Sequence, residues 1–301
     1  MSKTRDLNDM MLFIALIDAG SFTLAADWLN IPKANLSRKI SRLEDSLGVT
    51  LLERTTRSQR ITEAGELYLA HCRRIHQEID LADASINKIL NKLEGHIRIG
   101  ASVGIGHEIL KPVLGKFMQS HPAITLQLSL LNRRVDLIEE GFDMVIRIGD
   151  LEDSRLIAKR LGKVSRKIYV SPDYLERCDE IKSVKQLEQH QFLLMSSVQN
   201  YGRLLIESNE KKYELKLKPK MLIDDFLILK QMVVEGVGLA IIPDYMCQQE
   251  VADGQLIEVL PGWGMPDVEV CALYPKHRLN IPKVKAFVDF IQHVFKQRLA
   301  N

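Results

Sequence analysis

The sequence is poor in the features that mark secreted scaffolds and membrane proteins. It has four cysteines in 301 residues, and they are widely separated: Cys72, Cys178, Cys247 and Cys271. This spacing predicts neither a disulfide framework nor a Cys-x-x-Cys metal site. The longest apolar runs are too short to span a bilayer, and the N-terminus lacks a charged start followed by an uninterrupted apolar core. We therefore expect a cytoplasmic protein that does not engage a membrane.

Motifs of the common enzyme classes are also missing. There is no G-x-S-x-G elbow, no H-E-x-x-H and no P-loop, and the eight histidines are scattered. The loop Gly100-Ala101-Ser102-Val103-Gly104-Ile105-Gly106 resembles the nucleotide loop of short-chain dehydrogenases. That family also needs a tyrosine followed four residues later by lysine, which no tyrosine here has, and residues 118–125 lack the acidic residue that holds a ribose. We therefore expect no catalytic residue, no metal and no cofactor, and an NAD(P)-dependent oxidoreductase is the weaker alternative.

Positive charge is concentrated in one short segment. The whole chain has a net charge of +2, whereas Lys33 to Arg60 holds seven basic and three acidic residues, a net charge of +4. Such a concentration is typical of a surface that binds the phosphates of nucleic acid.

Residues 1–62 predict three helices and a hairpin. Asp6 and Ser21 are good N-caps for the first two helices, and Pro32 suits the first turn of the third. Gly48 ends the third helix. Two short extended runs follow, joined by a turn at Thr55–Arg57. This order predicts a winged helix-turn-helix domain whose third helix enters the major groove.

Residues 63–93 predict one long helix with an apolar seam. Its seam residues are spaced alternately by four and three positions: Tyr68, Cys72, Ile75, Ile79, Ala82, Ile86, Ile89 and Leu93. An unbroken heptad repeat predicts a helix that pairs with a second copy of itself. We expect this linker helix to make the protein a homo-oligomer, as a dimer or a dimer of dimers.

Residues 94–301 alternate between strand and helix patterns. Alternation of this kind predicts an α/β domain with a mostly parallel sheet. About 200 residues suit two lobes better than one. We place lobe 1 at about 94–160 and 275–301, and lobe 2 at about 161–274.

The N-terminal pattern resembles the signature of LysR-type transcriptional regulators. The matching residues keep constant spacing over some 60 positions: Gly20-Ser21-Phe22-Thr23, Ala25-Ala26, Leu29, Ser37-Arg38, Ile40, Leu43-Glu44, Leu47-Gly48, Leu51-Leu52-Glu53-Arg54 and Ile61-Thr62-Glu63-Ala64-Gly65. One departure is Pro32-Lys33, where many members have Ser-Gln. The resemblance implies a regulator of promoter DNA, and a two-lobed domain similar to periplasmic solute-binding proteins that holds a small effector in its cleft. It also implies contact with RNA polymerase when the protein activates.

The resemblance implies two sets of site residues. The DNA-binding set is Ser21, Thr23, Lys33, Asn35, Ser37, Arg38, Arg42, Arg54, Arg57 and Arg60. The effector-binding set is Ser102, Val103, Gly104, Leu130, Asn132, Arg147, Gly149, Ser196, Ser197, Asp225 and Phe226. We assign the arginines of the first set mainly to phosphates, and Lys33 or Asn35 to a base edge.

A thiol-based redox-sensing regulator is a second alternative. Cys271 alternates within a strand and is expected in the core, and Cys72 lies on the heptad seam. Cys178 and Cys247 are then expected to be the more exposed pair. Effector identity, target genes and the choice between activation and repression stay open.

Overall fold

The computed structural model describes residues 6–54, 59–90, 93–133, 135–149, 156–178, 180–196, 202–208, 211–276, 278 and 281–299. The chain forms two compact units. The first comprises Met1–Lys92 with Val135–Phe142, and the second comprises Leu93–Arg134 with Asp143–Asn301.

The first unit contains the predicted winged helix-turn-helix. Its elements are α1 (Leu7–Ala19), α2 (Phe22–Leu29), α3 (Lys33–Leu47), β1 (Leu52–Arg54), β2 (Gln59–Ile61) and α4 (Glu63–Leu90). The Asp6 carboxylate accepts from the amide of Asn8 and the Ser21 hydroxyl accepts from that of Leu24, so both predicted caps form. Gly48 closes α3 at φ +72°, a left-handed conformation that glycine adopts readily. Strands β1 and β2 pair antiparallel as the wing.

The first turns of the long helix α4 pack into the hydrophobic core of its own unit. Leu69 and Cys72 are buried there, and Tyr68 and Ile75 pack against the same cluster. The Tyr68 ring lies 6.2 Å from that of Phe13 in α1. Because Cys72 is 0% exposed within its own protomer, the first turns of the seam are covered without a partner. This corrects the expectation that the whole seam faces a second copy.

The segment Val135–Phe142 also belongs to the first unit, although its sequence neighbours on both sides belong to the second. The Gln77 side-chain amide of α4 reaches the carbonyl of Ile138, with Nε2 and O 3.5 Å apart. The Arg73 side chain covers Gly141, where an added Cβ would lie 3.2 Å from its Cδ. Arg73 is itself held by Asp18 of α1 at 2.7 Å.

The second unit is a mixed α/β domain. Its helices are α5 (Val103–Ile105), α6 (Lys111–Ser120), α7 (Pro172–Leu175), α8 (Phe226–Val234), α9 (Gln248–Ala252) and α10 (Pro282–Arg298), with a π-helical turn at Gly106–Leu110 and 3-10 turns at Val184–Gln189 and Asp244–Met246. Its strands are β3 (Gly95–Ala101), β4 (Ile124–Leu130), β5 (Met144–Ile148), β6 (Leu156–Val170), β7 (Leu193–Met195), β8 (Arg203–Ser208), β9 (Lys211–Lys216), β10 (Met221–Ile223), β11 (Ala240–Pro243), β12 (Ile257–Glu258) and β13 (Gly264–Pro275).

The main sheet has the order β11-β6-β13-β5-β3-β4. Strand β3 is parallel to β4 and β5, whereas β13 is antiparallel to β5 and β6, and β11 is antiparallel to β6. The expectation of a mostly parallel sheet is therefore wrong for its centre. The cause is the pair of long strands β6 and β13, which run in opposite directions between the two lobes.

Each lobe buries its own apolar side chains. Around β6 and β11 in lobe 2, Phe192, Ile206 and Leu239 are fully buried in one cluster. In lobe 1, Phe287 of α10 meets Phe117 of α6 edge to face, with ring centroids 4.9 Å apart. No helix in the described part of the chain is long and apolar enough to cross a bilayer.

Candidate DNA-binding surface and effector cleft

Helix α3 presents one apolar and one cationic face. Leu36, Ile40 and Leu43 are buried against α1 and α2. Lys33 and Arg38 lie on the exposed face. Neither makes an ion pair with any residue that the structure describes, so their charges are available to an external anion.

Arg42 is held by the chain itself. Its guanidinium donates to the Asp9 carboxylate with Nε and Oδ2 2.8 Å apart, and to Asp6 at 2.9 Å. Lys39 lies 3.6 Å from the same Asp9. The hydrogen bond and charge of Asp9 raise the pKa of Arg42, and the backbone amide of Asn8 together with the Arg42 charge holds the pKa of Asp6 below its usual value. Arg42 thus joins α3 to α1, a contact that sequence reasoning missed because the partners lie 33 and 36 residues apart.

The remaining DNA-binding candidates divide by environment. Thr23 and Arg60 are exposed, Asn35 and Ser37 are half-buried, and Ser21 is engaged as the cap of α2. Arg57 and the side chain of Arg54 lie outside the described residues. The wing is held to α3 by Glu44, whose carboxylate accepts from the amides of Leu51 and Leu52 at 2.8 and 3.1 Å.

The lobe 1 candidates meet at one edge of the sheet. Strands β3, β4 and β5 are parallel, and Ala101 is in register with both Leu130 and Ile146. Their carboxyl ends therefore bring Ser102, Leu130, Asn132, Arg147 and Gly149 to the same edge. Open α/β sheets bind ligands at this edge. Arg147 is half-buried there and has no ion pair with a described residue.

The glycine loop is packed against protein. Ser102 caps α5, accepting from the amide of Ile105 at 3.4 Å. A Cβ added to Gly104 would lie 2.9 Å from the Tyr245 hydroxyl, and one added to Gly106 would lie 2.3 Å from Cδ2 of Leu130. These two glycines make room for side chains of the domain, which removes the reason to assign the loop to a pyrophosphate. The structure therefore gives no support to the oxidoreductase alternative.

The lobe 2 candidates meet in the same way. Strands β7 and β10 are parallel, with Met195 in register with Ile223. Their carboxyl ends bring Ser196 beside Asp225 and Phe226, and Ser197 lies outside the described residues. The Asp225 carboxylate caps α8 through the amides of Leu227 and Ile228. The two edges are joined because Asn132 Nδ2 donates to the carbonyl of Asp224 at 3.2 Å.

A second contact between the lobes is a partly buried ion-pair network around Lys230 of α8. The Lys230 Nζ lies 3.4 Å from Glu108 in lobe 1, 2.5 Å from Glu250 in lobe 2 and 2.8 Å from the carbonyl of Met246. Burial lowers the pKa of Lys230, but Glu250 and Glu108 outweigh it, so the net pKa is raised. Sequence reasoning missed this network because Glu108 and Lys230 are separated by 122 residues.

The cysteine environments disfavour thiol sensing. Cys247 is buried, which corrects the expectation that it is one of the two more exposed cysteines, whereas Cys271 is buried as expected. Burial raises the pKa of Cys72 to about 11 and also raises those of Cys247 and Cys271. A raised pKa lowers the fraction of reactive thiolate. Cys178 is half-buried near the ring of Tyr174, which belongs to the lobe 2 core.

The fold and these sites define a class: a DNA-binding regulator in which a winged helix-turn-helix precedes an effector-binding domain. Residues 7–66 match the family model of the bacterial regulatory helix-turn-helix protein, lysR family, and residues 91–296 match the LysR substrate binding domain. The chain belongs to the LysR family and is a DNA-binding transcriptional regulator rather than an enzyme.

Similar proteins cover the chain almost from end to end. An HTH-type transcriptional regulator of Xanthomonas campestris pv. campestris is 36% identical over 96% of this chain and 85% of its own length. The regulator PgrR of Escherichia coli is 34% identical, over 97% and 98%. The solved structure of CrgA from Neisseria meningitidis, a LysR-type transcriptional regulator, has a TM-score of 0.64 at 27% identity and covers 98% of this chain and 100% of its own.

Proposed function

We propose that the regulator binds promoter DNA through the exposed face of α3 together with the wing. The observation that carries this proposal is the pair of exposed cations Lys33 and Arg38, which have no internal counter-ion in the described chain. Arg38 contacts phosphate, and Lys33 and Asn35 at the start of α3 approach base edges. Arg60 reaches the backbone from the wing.

The proposed oligomer forms along the later turns of α4. Ile79 is 39% exposed and Ile86 is 58% exposed, and Ala82 between them is also exposed. Since apolar side chains at heptad spacing gain stability by pairing, these residues are the proposed dimer contact, and a dimer places two recognition helices on successive half-sites. The Ile89 side chain lies outside the described residues, and the exposed Leu93 follows the helix.

The proposed effector site lies between the two sheet edges. The amides of Val103 and Gly104, at the first turn of α5, together with Arg147, suit an anionic group such as a carboxylate. Asp225 and Phe226 form the opposite wall. An effector that binds both edges changes the distance between the lobes, and activation then involves RNA polymerase. Because the function requires promoter DNA, we place the protein in the cytoplasm.

A salt titration of DNA binding tests the central proposal. The DNA is the region upstream of the protein's own gene, with a random duplex as competitor, and wild type is compared with Arg38→Ala and with Lys211→Ala, an exposed lysine on β9. We expect Arg38→Ala to weaken binding about tenfold at low salt and to lower the slope of log affinity against log salt by about one. Lys211→Ala should match wild type.

Two results would contradict the proposal. One is the absence of binding to either duplex at low salt. The other is an Arg38→Ala protein whose affinity and salt slope equal those of wild type, because the exposed face of α3 would then lie away from the phosphates.

A further inference from the structure

A second cavity lies away from the effector cleft, between β6 and α10. Its volume is about 650 Å³. It is lined by Arg160, Leu161, Gly162 and Lys163 of β6 and by Asp289, Gln292, His293 and Lys296 of α10. Three of these eight residues are permanently cationic and one is acidic, so the wall is electropositive.

We name the cavity lined by these eight residues the hinge pocket. Two of its lysines have no ion-pair partner among the described residues. Asp289 is paired with the neighbouring Lys159 at 3.4 Å, and Arg160 is paired with Glu269 at 3.3 Å. Lys163 and Lys296 have no ion-pair partner among the described residues. Two ammonium groups on facing elements are therefore left for an external anion.

The position of Lys296 has one internal explanation that does not extend to Lys163. Lys296 lies in the last turn of α10, where a cation complements the helix dipole. Lys163 is in the middle of a strand, where no such dipole acts, and the residue opposite it on β13, Glu269, is ion-paired with Arg160. The convergence of both lysines on one cavity is therefore not explained by the stability of α10 alone.

The pocket also adjoins an irregularity in the strand that both lobes share. Val270 of β13 pairs with Gly162, and the next residue, Cys271, pairs with Arg160. Leu161 is thus an extra residue, a β-bulge that bends β6. Before the bulge β6 pairs with the end of β13 that also pairs with β5 of lobe 1. Beyond the bulge β6 stays paired with β13 and, from Arg166 onward, also pairs with β11 and β12 in lobe 2.

We propose that the hinge pocket binds a compact polyanion, a phosphate or a di- or tricarboxylate, through Lys163 and Lys296. The ligand contacts β6 at the bulge, where the strand passes from one lobe to the other. This site is separate from the effector cleft, and its existence does not depend on what the cleft binds.

Calorimetric titration of the full-length protein tests the proposal. Inorganic phosphate and citrate are titrated at constant ionic strength, with sodium chloride as the balancing salt. Wild type is compared with Lys163→Gln/Lys296→Gln and with the control Lys211→Gln/Lys218→Gln, two exposed lysines of lobe 2. We expect saturable binding of at least one anion, weakened at least about tenfold in the first double variant and unchanged in the control.

Two further variants make the result specific to the pocket. Gln292→Glu adds a carboxylate to the lining without removing a lysine, and it should weaken binding as well. Arg147→Gln alters the effector cleft and should leave this binding unchanged. Binding of phosphate but not citrate, or the reverse, identifies the ligand class. Absence of saturable heat with either anion, equal affinity in the Lys163→Gln/Lys296→Gln protein, or loss of binding in Arg147→Gln overturns the proposal.

Discussion

The cations of α3 and the cation of α8 are arranged in opposite ways. On α3, Lys33 and Arg38 are exposed and have no counter-ion in the described chain. On α8, Lys230 is largely buried and lies between two carboxylates, one from each lobe. The first arrangement leaves binding energy for an external anion, and the second uses the charge to join parts of the protein. Arg42 shows that both arrangements occur on one helix.

The largest effect should come from removing the buried cation. Lys230→Met leaves Glu108 and Glu250 without their common counter-ion, and the buried Oε2 of Glu250 already has no hydrogen-bond partner among the residues that the structure describes. Breaking such a pair from one side should lower the free energy of unfolding by about 2–3 kcal/mol. Urea unfolding followed by circular dichroism measures the loss, with Lys218→Met at an exposed position as the matched control.

The pH dependence of this effect follows from the raised pKa of Lys230. A lysine whose pKa is raised by folding stabilises the protein fully below the usual lysine pKa of 10.5. This stabilisation is lost as the pH rises through the pKa of the folded state. The difference between wild type and Lys230→Met should therefore be constant between pH 6 and pH 9. A difference as small as that of Lys218→Met would mean that the network does not hold the lobes.

Local features of the fold were predictable from sequence, whereas contacts between distant segments were not. Asp6, Ser21 and Gly48 act within one helical turn, so their residue types alone predict where α1, α2 and α3 begin or end. The strand patterns also predict that Ser102 and Arg147 lie at the same edge of the sheet, because each follows or ends a strand and β3 and β5 are parallel.

Three features of the structure could not be predicted from the sequence. The heptad repeat shows which face of α4 is apolar, but it does not show that Cys72 is covered by the same protomer. Alternation of strands and helices does not reveal that β6 and β13 are antiparallel. The partners of Arg42 lie 33 and 36 residues away, and Glu108 lies 122 residues from Lys230, so no local sequence pattern could predict these pairs.

A smaller loss of stability should follow from Asp9→Asn in the first unit. Asp9 is buried and is the common partner of Arg42 and Lys39. Its neutral replacement keeps the volume but loses the charge, which should lower the free energy of unfolding by about 1–2 kcal/mol. Urea unfolding tests this, with the exposed Asp27→Asn of α2 as control. Equal stability of the two variants would show that α1 and α3 are held by apolar packing alone.

The smallest effect, and the sharpest test of the comparison, is expected from Arg42→Ala. The sequence predicts Arg42 on the recognition face, but its guanidinium is engaged by Asp6 and Asp9 and is not free to release counter-ions from DNA. The slope of log affinity against log salt should therefore stay at the wild-type value in Arg42→Ala, whereas Arg38→Ala lowers it by about one. Both variants are measured on the same duplex. Equal reductions in slope would mean that Arg42 leaves Asp6 and Asp9 when DNA binds. An ion pair within the protein would then not show that a cation is kept away from DNA.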